Sequence, residues 1–303
     1  MNSSTAITLK RRVTTVLLLA VCALAGAPSI TWATMMLYVG GQVPFPSSPP
    51  ISSALYTANP ATANLSRVGQ MSYPSGVVPA AFGIGGQLAT SPAGDLYGSD
   101  SRSLFRLDPL NAAATYIGDL GPGMRCMTFS PNGTLYAQDL SGAIYSVNTQ
   151  TAARTLVSSG IPTFNDIEFS PSGTMYGIDF ESIYTLDLGT ASATFFGQFS
   201  QGQMRKAAFS SSGILYASDN ASLYTVDLST FVSTNPYPVV STTKIAAFAE
   251  TINGSPTATH VYDLAFVPVP EAGSLALLAI GAACLLVGAC LRRGRNRRTA
   301  AAH

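Results

Sequence analysis

The sequence predicts an all-β fold, a β-propeller of about five four-stranded blades, and three observations carry that expectation. First, four decapeptides recur at intervals of about 40 residues: SPAGDLYGSD from Ser91, SPNGTLYAQD from Ser130, SPSGTMYGID from Ser170 and SSSGILYASD ending at Asp219. Second, each decapeptide lies among further short segments in which apolar and polar residues alternate. One precedes it (MRCMTF, FNDIEF, RKAAF) and two follow (SLFRLD, AIYSVN, SIYTLD and SLYTVD, then ATYIGDL, ARTLVSS and ATFFGQF). Four β-like segments rich in Tyr, Phe, Thr, Val and Ile in about 40 residues is the arithmetic of a propeller blade. Third, the ends of the repeat region complement each other. MLYVGG from Met36, ALYTANP from Ala54 and NLSRVG from Asn64 match the second, third and fourth strands of a blade without a first, whereas VYDLAFVP at Val261–Pro268 matches a first strand with no blade after it. Joining them closes a ring and removes the exposed sheet edges that invite aggregation. KIAAFAE (Lys244–Glu250) has no place in this scheme, and a sixth blade beginning there stays open.

Lys10, Arg11 and Arg12 precede the apolar run VTTVLLLAVCALAG, the layout of a secretory signal peptide over residues 1–33. Cleavage fits after Ala25 or after Ala33, and the second site starts the mature chain just before the first strand-like segment. In the first blade of the body, 34–268, the proline-rich insert GQVPFPSSPPISS reads as a surface loop. In SP-x-G the glycine supplies the positive φ that closes the first hairpin of each unit. After the body come Val269, Pro270 and Glu271, then the uncharged apolar stretch Ala272–Leu291, then RRGRNRR with Arg292, Arg293, Arg295, Arg297 and Arg298. At ~1.5 Å per residue that stretch, read as one transmembrane helix, crosses a ~30 Å hydrocarbon core, and the arginines beside it stay on the cytoplasmic side. Of the four cysteines only Cys126 lies in the body, so an internal disulfide there is excluded.

Charge narrows the function. Residues 34–270 hold 8 of the 16 Lys+Arg and 14 of the 15 Asp+Glu, a net charge of 8 − 14 = −6. That excludes a nucleic-acid protein acting through phosphate neutralisation. No His-x-x-Glu pair, His/Cys zinc spacing, nucleophile elbow or phosphate-cradling glycine loop is present, and no catalytic residue is assigned. Asp100, Asp139, Asp179 and Asp219 end the second strand of four units, and Asp108, Asn148, Asp187 and Asp227, with Asn59, end the third. Such residues bond to nearby backbone N–H groups and set turns. Tyr97, Tyr136, Tyr176 and Tyr216 recur at the spacing of interblade packing. The informative departures lie on the first strands. There Thr128, Glu168, Ala208 and Ala265 face the channel, with Cys126, Asp166, Lys206 and Asp263 one step further along. Asp166, Glu168 and Asp263 are candidates for holding Ca²⁺ or a small polar ligand at the channel mouth. The same groups also make a solvated channel wall with Lys206 as counter-charge.

The repeat is similar to the YVTN and NHL-like propellers, without a clean copy of either signature. The C-terminal region, with Val269-Pro270-Glu271, an apolar span and a basic tail in that order, resembles the PEP-CTERM sorting signal, with Ala272 where the second proline of that motif stands. The resemblance covers only the last 35 residues. It implies a Gram-negative host, processing by an exosortase-like protease after signal peptidase, and an association with exopolysaccharide and biofilm matrix.

The reading that follows is an exported, non-catalytic propeller without a cofactor. It is sorted to the cell envelope or extracellular matrix, where it is a structural or binding component for exopolysaccharide or another envelope protein. Two alternatives stand beside it. One is a Ca²⁺-dependent propeller hydrolase or lactonase using the acidic channel residues, and the other is a scaffold held permanently in the membrane by the C-terminal helix.

Overall fold

In the computed structural model, residues 34–42, 53–77, 86–233, 237–252, 255–258 and 261–269 are described. The signal-peptide segment, Pro270, Glu271, the apolar stretch 272–291 and the arginine cluster lie outside the described residues, as does most of the proline-rich insert. Every regular element among the described residues is a strand. No described helix is long and apolar enough to cross a membrane.

Chain order follows the repeat. The N-terminal strands are β1 (Thr34–Gln42), β2 (Ser53–Ala58) and β3 (Asn64–Met71). The first full unit comprises β4 (Gln87–Thr90), β5 (Leu96–Ser99), β6 (Ser103–Leu107) and β7 (Ala114–Asp119), and the second β8 (Met124–Phe129), β9 (Leu135–Asp139), β10 (Ile144–Val147) and β11 (Arg154–Ser158). The third holds β12 (Asp166–Phe169), β13 (Met175–Ile178), β14 (Ser182–Asp187) and β15 (Ser192–Phe199), and the fourth β16 (Lys206–Phe209), β17 (Leu215–Ser218), β18 (Ser222–Ser233) and β19 (Val239–Ala247). The chain ends through β20 (Ala249–Ile252), β21 (Ser255–Ala258) and β22 (Val261–Val269).

Each unit is an antiparallel meander. β4 to β7 and β8 to β11 form separate four-stranded sheets. The next two meanders count as one eight-stranded sheet only because β15 and β19 pair in parallel over Gln198↔Val239 and Phe199↔Val240. The fifth sheet has the order β21-β20-β3-β2-β1-β22, so the last strand of the body lies beside the first. One strand from the C-terminal end and three from the N-terminal end thus complete a blade. KIAAFAE starts no sixth blade. Lys244–Ala247 finish β19, and Ala249 and Glu250 begin β20, which pairs in parallel with the outer strand β3. The physical reason is the long β18–β19 hairpin, which postpones the fourth strand of its blade past the repeat spacing.

The core is divided among the blade interfaces, and the five buried clusters follow one another around a closed circuit. Tyr56, Leu264 and Phe266 of the composite sheet meet Ala208, Leu223 and Phe248. On its other side Leu55, Ala265 and Val267 meet Leu88, Leu96 and Phe105. The remaining clusters join β4–β7 to β8–β11, β8–β11 to β12–β15, and β12–β15 to β16–β19. A ring of aromatic pairs repeats across these interfaces, each tyrosine packing on the first-strand phenylalanine of the next blade. Tyr97–Phe129, Tyr136–Phe169, Tyr176–Phe209 and Tyr216–Phe266 have centroids 5.3, 5.4, 5.6 and 5.1 Å apart. Such tilted pairs add about 0.5–1.5 kcal/mol each beyond the area they bury.

The recurring polar residues set the turns. Gly133, at φ 88°, donates its N–H to the Ser130 carbonyl at 2.9 Å, and the glycines of the other three SP-x-G or SSSG turns do the same. The Asp139 carboxylate accepts from the N–H groups of Ser141 and Ala143 at 2.8 and 3.1 Å, and Asp219 from those of Ala221 and Ser222 at 2.9 and 2.7 Å. Asn59, Asp108, Asn148, Asp187 and Asp227 each accept from the N–H two residues on, at 2.8 Å in every case. Close approach of blades requires Gly118 on the outer strand β7, because a Cβ there would meet the Thr151 carbonyl at 2.6 Å.

Candidate functional site

The inner strands β22, β4, β8, β12 and β16 begin at one mouth of the ring. Their side chains there fall into two successive layers. The lower layer holds Asp263, Gln87, Cys126, Asp166 and Lys206, one from each strand. Asp263, Asp166 and Lys206 are only 2, 3 and 8% exposed. The positions of pairing confirm the equivalence: Gln87, Cys126, Asp166 and Lys206 stand opposite Ser99, Gln138, Ile178 and Ser218 on the second strands.

The inner strands are tied to one another around the whole circuit. Asp263 Oδ2 accepts from the Leu88 N–H at 2.5 Å, and Gln87 Nε2 donates to the Met124 carbonyl at 2.5 Å. Between β8 and β12, Thr128 Oγ1 accepts from the Phe169 N–H at 3.4 Å and donates to Glu168 Oε2 at 2.6 Å. Between β12 and β16, Asp166 Oδ2 accepts from the Ala207 N–H at 2.8 Å and Glu168 Oε1 from the Phe209 N–H at 3.3 Å. Lys206 closes the circuit, its Nζ lying 3.7 Å from Asp166 Oδ1 and 3.8 Å from Asp263 Oδ1. The carboxylates are therefore interblade ties. Asp166 and Asp263 flank the Lys206 ammonium, which occupies the place a cation between them would take. Glu168 sits apart, on Thr128. Among the described residues no group of three or more His, Cys, Asp or Glu side chains is arranged to hold a metal ion.

Burial dominates the electrostatics of this layer. Desolvation pushes the Asp263 carboxyl up to about 8 against the pull of Lys206, and it raises Asp166 as well. Glu168 is pushed up to about 8, again by desolvation first, against the hydrogen bond from Thr128. Burial alone would lower Lys206, but Asp166 and then Asp263 outweigh it and carry the ammonium to about 12. Lys206 is therefore charged at every physiological pH. Burial also raises the Cys126 thiol far out of the range of ionisation.

The upper layer was not singled out from the sequence. It consists of the residues just before the lower set, namely Gly86, Arg125, Asn165, Arg205 and Tyr262, and together with Gln87, Lys206 and loop residues such as Ser101, Leu140 and Asn220 they line a cavity of about 410 Å³. Arg125 is the extra residue of a β-bulge between Met124 and Cys126, a device that re-aims a side chain. Its Nε donates to the Phe164 carbonyl and its Nη2 to Asn165 Oδ1, both at 2.5 Å. The exposed Arg205 guanidinium lies 4.8 Å from the Phe180 ring centroid. Neither arginine forms an ion pair with a described residue. Gln87 Oε1 and Asn165 Nδ2 are buried without a hydrogen-bond partner. The signal was available in the repeat register, since shifting each first-strand alignment by one residue brings both arginines to one mouth. Of the sorting-motif residues, Val269 ends β22, while Pro270, Glu271 and the five arginines lie outside the described residues.

No family model matches the chain, and no curated protein matches it either. Among solved structures it is similar to a chain of the nidogen/laminin complex, with 13% identity over 77% of this chain and 98% of that one at a TM-score of 0.46. It is also similar to a protein of unknown function from Bacteroides caccae (11% identity, 78% and 100% covered, TM-score 0.41) and to an auxiliary nutrient binding protein from Bacteroides thetaiotaomicron (11%, 70% and 49%, 0.39). These TM-scores lie below 0.5, so the fold rests on the chain's own strand order and interfaces.

Proposed function

We propose that the protein is an exported, non-catalytic β-propeller that reaches the cell envelope through its C-terminal segment 269–303. There it is cut from its span and serves in the extracellular matrix as a structural or binding component. The observation that carries the non-catalytic reading is the use of the central acids. Asp166 and Asp263 are almost fully buried, each bonded to a backbone N–H of the next blade and set against Lys206, and Glu168 is held by the Thr128 hydroxyl and the Phe209 N–H, whereas a general base or nucleophile must be presented to its substrate. The sorting reading draws on the order of motif, span and arginines, and on one structural fact. The motif starts at the last residue of β22, so a cut beyond Val269 leaves the closing strand in the ring.

The test is the intact mass of the mature protein from its native host, with its cell fraction recorded. A chain running from about Thr34 to about Pro270 and found outside the membrane is the expected result. A chain that keeps residues 272–303 and stays with the membrane overturns release and leaves an anchored propeller.

A further inference from the structure

From the charge and shape of the cavity at the mouth, we infer that it is a binding site for a sugar acid, a hydroxylated ring carrying one carboxylate, either free or at the end of an acidic polysaccharide. The inference names a ligand for the binding module proposed above and rests on that reading. Charge is the first argument. Among the described residues the charged side chains in the wall are Arg125, Arg205 and Lys206, on a body whose net charge is −6, from 8 bases and 14 acids. Lys206 is already answered by Asp166 and Asp263. No described carboxylate lies within ion-pair distance of either guanidinium, Asp179 and Glu181 standing across a neighbouring cleft from Arg205. Arg125 is held by the Phe164 carbonyl and Asn165, so it is pre-oriented while its Nη1 makes no bond to a described residue. A planar carboxylate matches a guanidinium fork, and charge-assisted bonds of this kind are about twice as strong as neutral ones.

The second argument is the neutral part of the wall. A cavity of about 410 Å³ has room for one sugar ring or two. Gln87 Oε1 and Asn165 Nδ2 are an acceptor and a donor that find no partner in the free protein. Such atoms cost free energy while unpaired, and a ligand with several hydroxyls answers both through small shifts that keep the bonds to Met124 and Arg125. An aliphatic carboxylate answers neither. Inorganic phosphate offers the wrong balance, because its second negative charge would face Asp166 and Asp263 directly behind Lys206.

Calorimetric titration of the processed protein purified from its host, or of the full chain in detergent, tests this with four probes: glucuronate, glucose, inorganic phosphate and a trigalacturonate. Glucuronate is expected to bind at least about tenfold more tightly than glucose and than phosphate, with affinity falling as salt rises. Arg205→Gln, at an exposed position, is expected to lower glucuronate affinity about tenfold with unchanged thermal unfolding, and Arg125→Lys to do the same through the lost fork. Trigalacturonate binding more tightly than glucuronate identifies a polysaccharide end, and equal binding identifies a free sugar acid. Equal binding of glucose and glucuronate, phosphate as the tightest probe, no binding by any probe, or an Arg205→Gln protein that binds normally would each overturn the proposal. Mass and cell fraction read the sorting proposal separately, so the failure of one is not mistaken for that of the other.

Discussion

At the rim of each blade, aspartates such as Asp187 and Asp227 stand in water and accept N–H and O–H groups from the next two or three residues. Those bonds hold their carboxyls below the usual range. For Asp227 the hydroxyls of Ser229 and then Thr230 bring it to about 2, and for Asp187 the N–H groups of Thr190 and Gly189 are the main cause. At the centre of the ring, Asp166 and Asp263 also accept backbone N–H groups, yet burial raises both. The same side chain serves local geometry at the rim and joins neighbouring blades at the centre. The rim can repeat because each turn is solved within its own unit. The centre cannot, since five equivalent positions share one small volume and five buried carboxylates would repel one another.

The sharpest way to break that contrast is to remove the one central cation. Lys206→Met leaves two buried aspartates facing each other, and removing one partner of a buried charge cluster costs about 3–5 kcal/mol. Urea unfolding of the variant is expected to show a loss of that size. The combined change Asp166→Asn, Lys206→Met, Asp263→Asn should recover much of it, because the neutral amides need no counter-charge. A Lys206→Met protein within about 1 kcal/mol of the parent would mean that water already screens the cluster.

The rim was legible in the sequence and the centre only partly so. The decapeptides, the Asx positions and the tyrosines sit at fixed spacing, and each does in the structure what local chemistry predicts of it. The composite blade was legible for the same reason, as three leftover strands at one end and one at the other leave few ways to close a ring. The fate of Lys244–Glu250 was not, because the long β18–β19 hairpin breaks the period without any break in apolar alternation. At the centre, alignment picked out Asp166, Glu168, Asp263 and Lys206, but facing the channel does not say whether a side chain is solvated. That depends on how closely the five strands approach, which no single strand encodes. Arg125 and Arg205 escaped notice because each lies one residue outside the alternating pattern, at a bulge or a strand start.

Titration sharpens the comparison by a smaller effect. Glu168, which has no cation beside it, has a folded value of about 8 against an ordinary 4.5. Between the ordinary and folded values the native state binds more protons than the unfolded chain, so stability falls as pH rises. The contribution is complete below about pH 4 and lost on passing pH 8. Rim carboxyls, held below their ordinary values, act with the opposite sign and only in acid. Chemical unfolding at a series of pH values from about 5 to 8.5 should therefore show declining stability, and Glu168→Gln should reduce the slope by about one proton. An unchanged slope would mean that Glu168 is ionised in the folded protein across that range.

The smallest expected difference lies within the rim itself. Asp219 is half-buried and accepts from two backbone N–H groups and from the Tyr224 hydroxyl at 2.8 Å. Asp187 makes two backbone bonds as well, but it is exposed, with no tyrosine on it. Asp219→Ala leaves donors that water reaches poorly and is expected to cost about 1 kcal/mol in thermal or urea unfolding. Asp187→Ala leaves donors that water satisfies at once, so its unfolding transition should fall clearly nearer the parent's. If the two variants lose equal stability, the turn bond itself sets the cost and solvent access is irrelevant to it. The contrast between rim and centre would then rest on charge crowding alone.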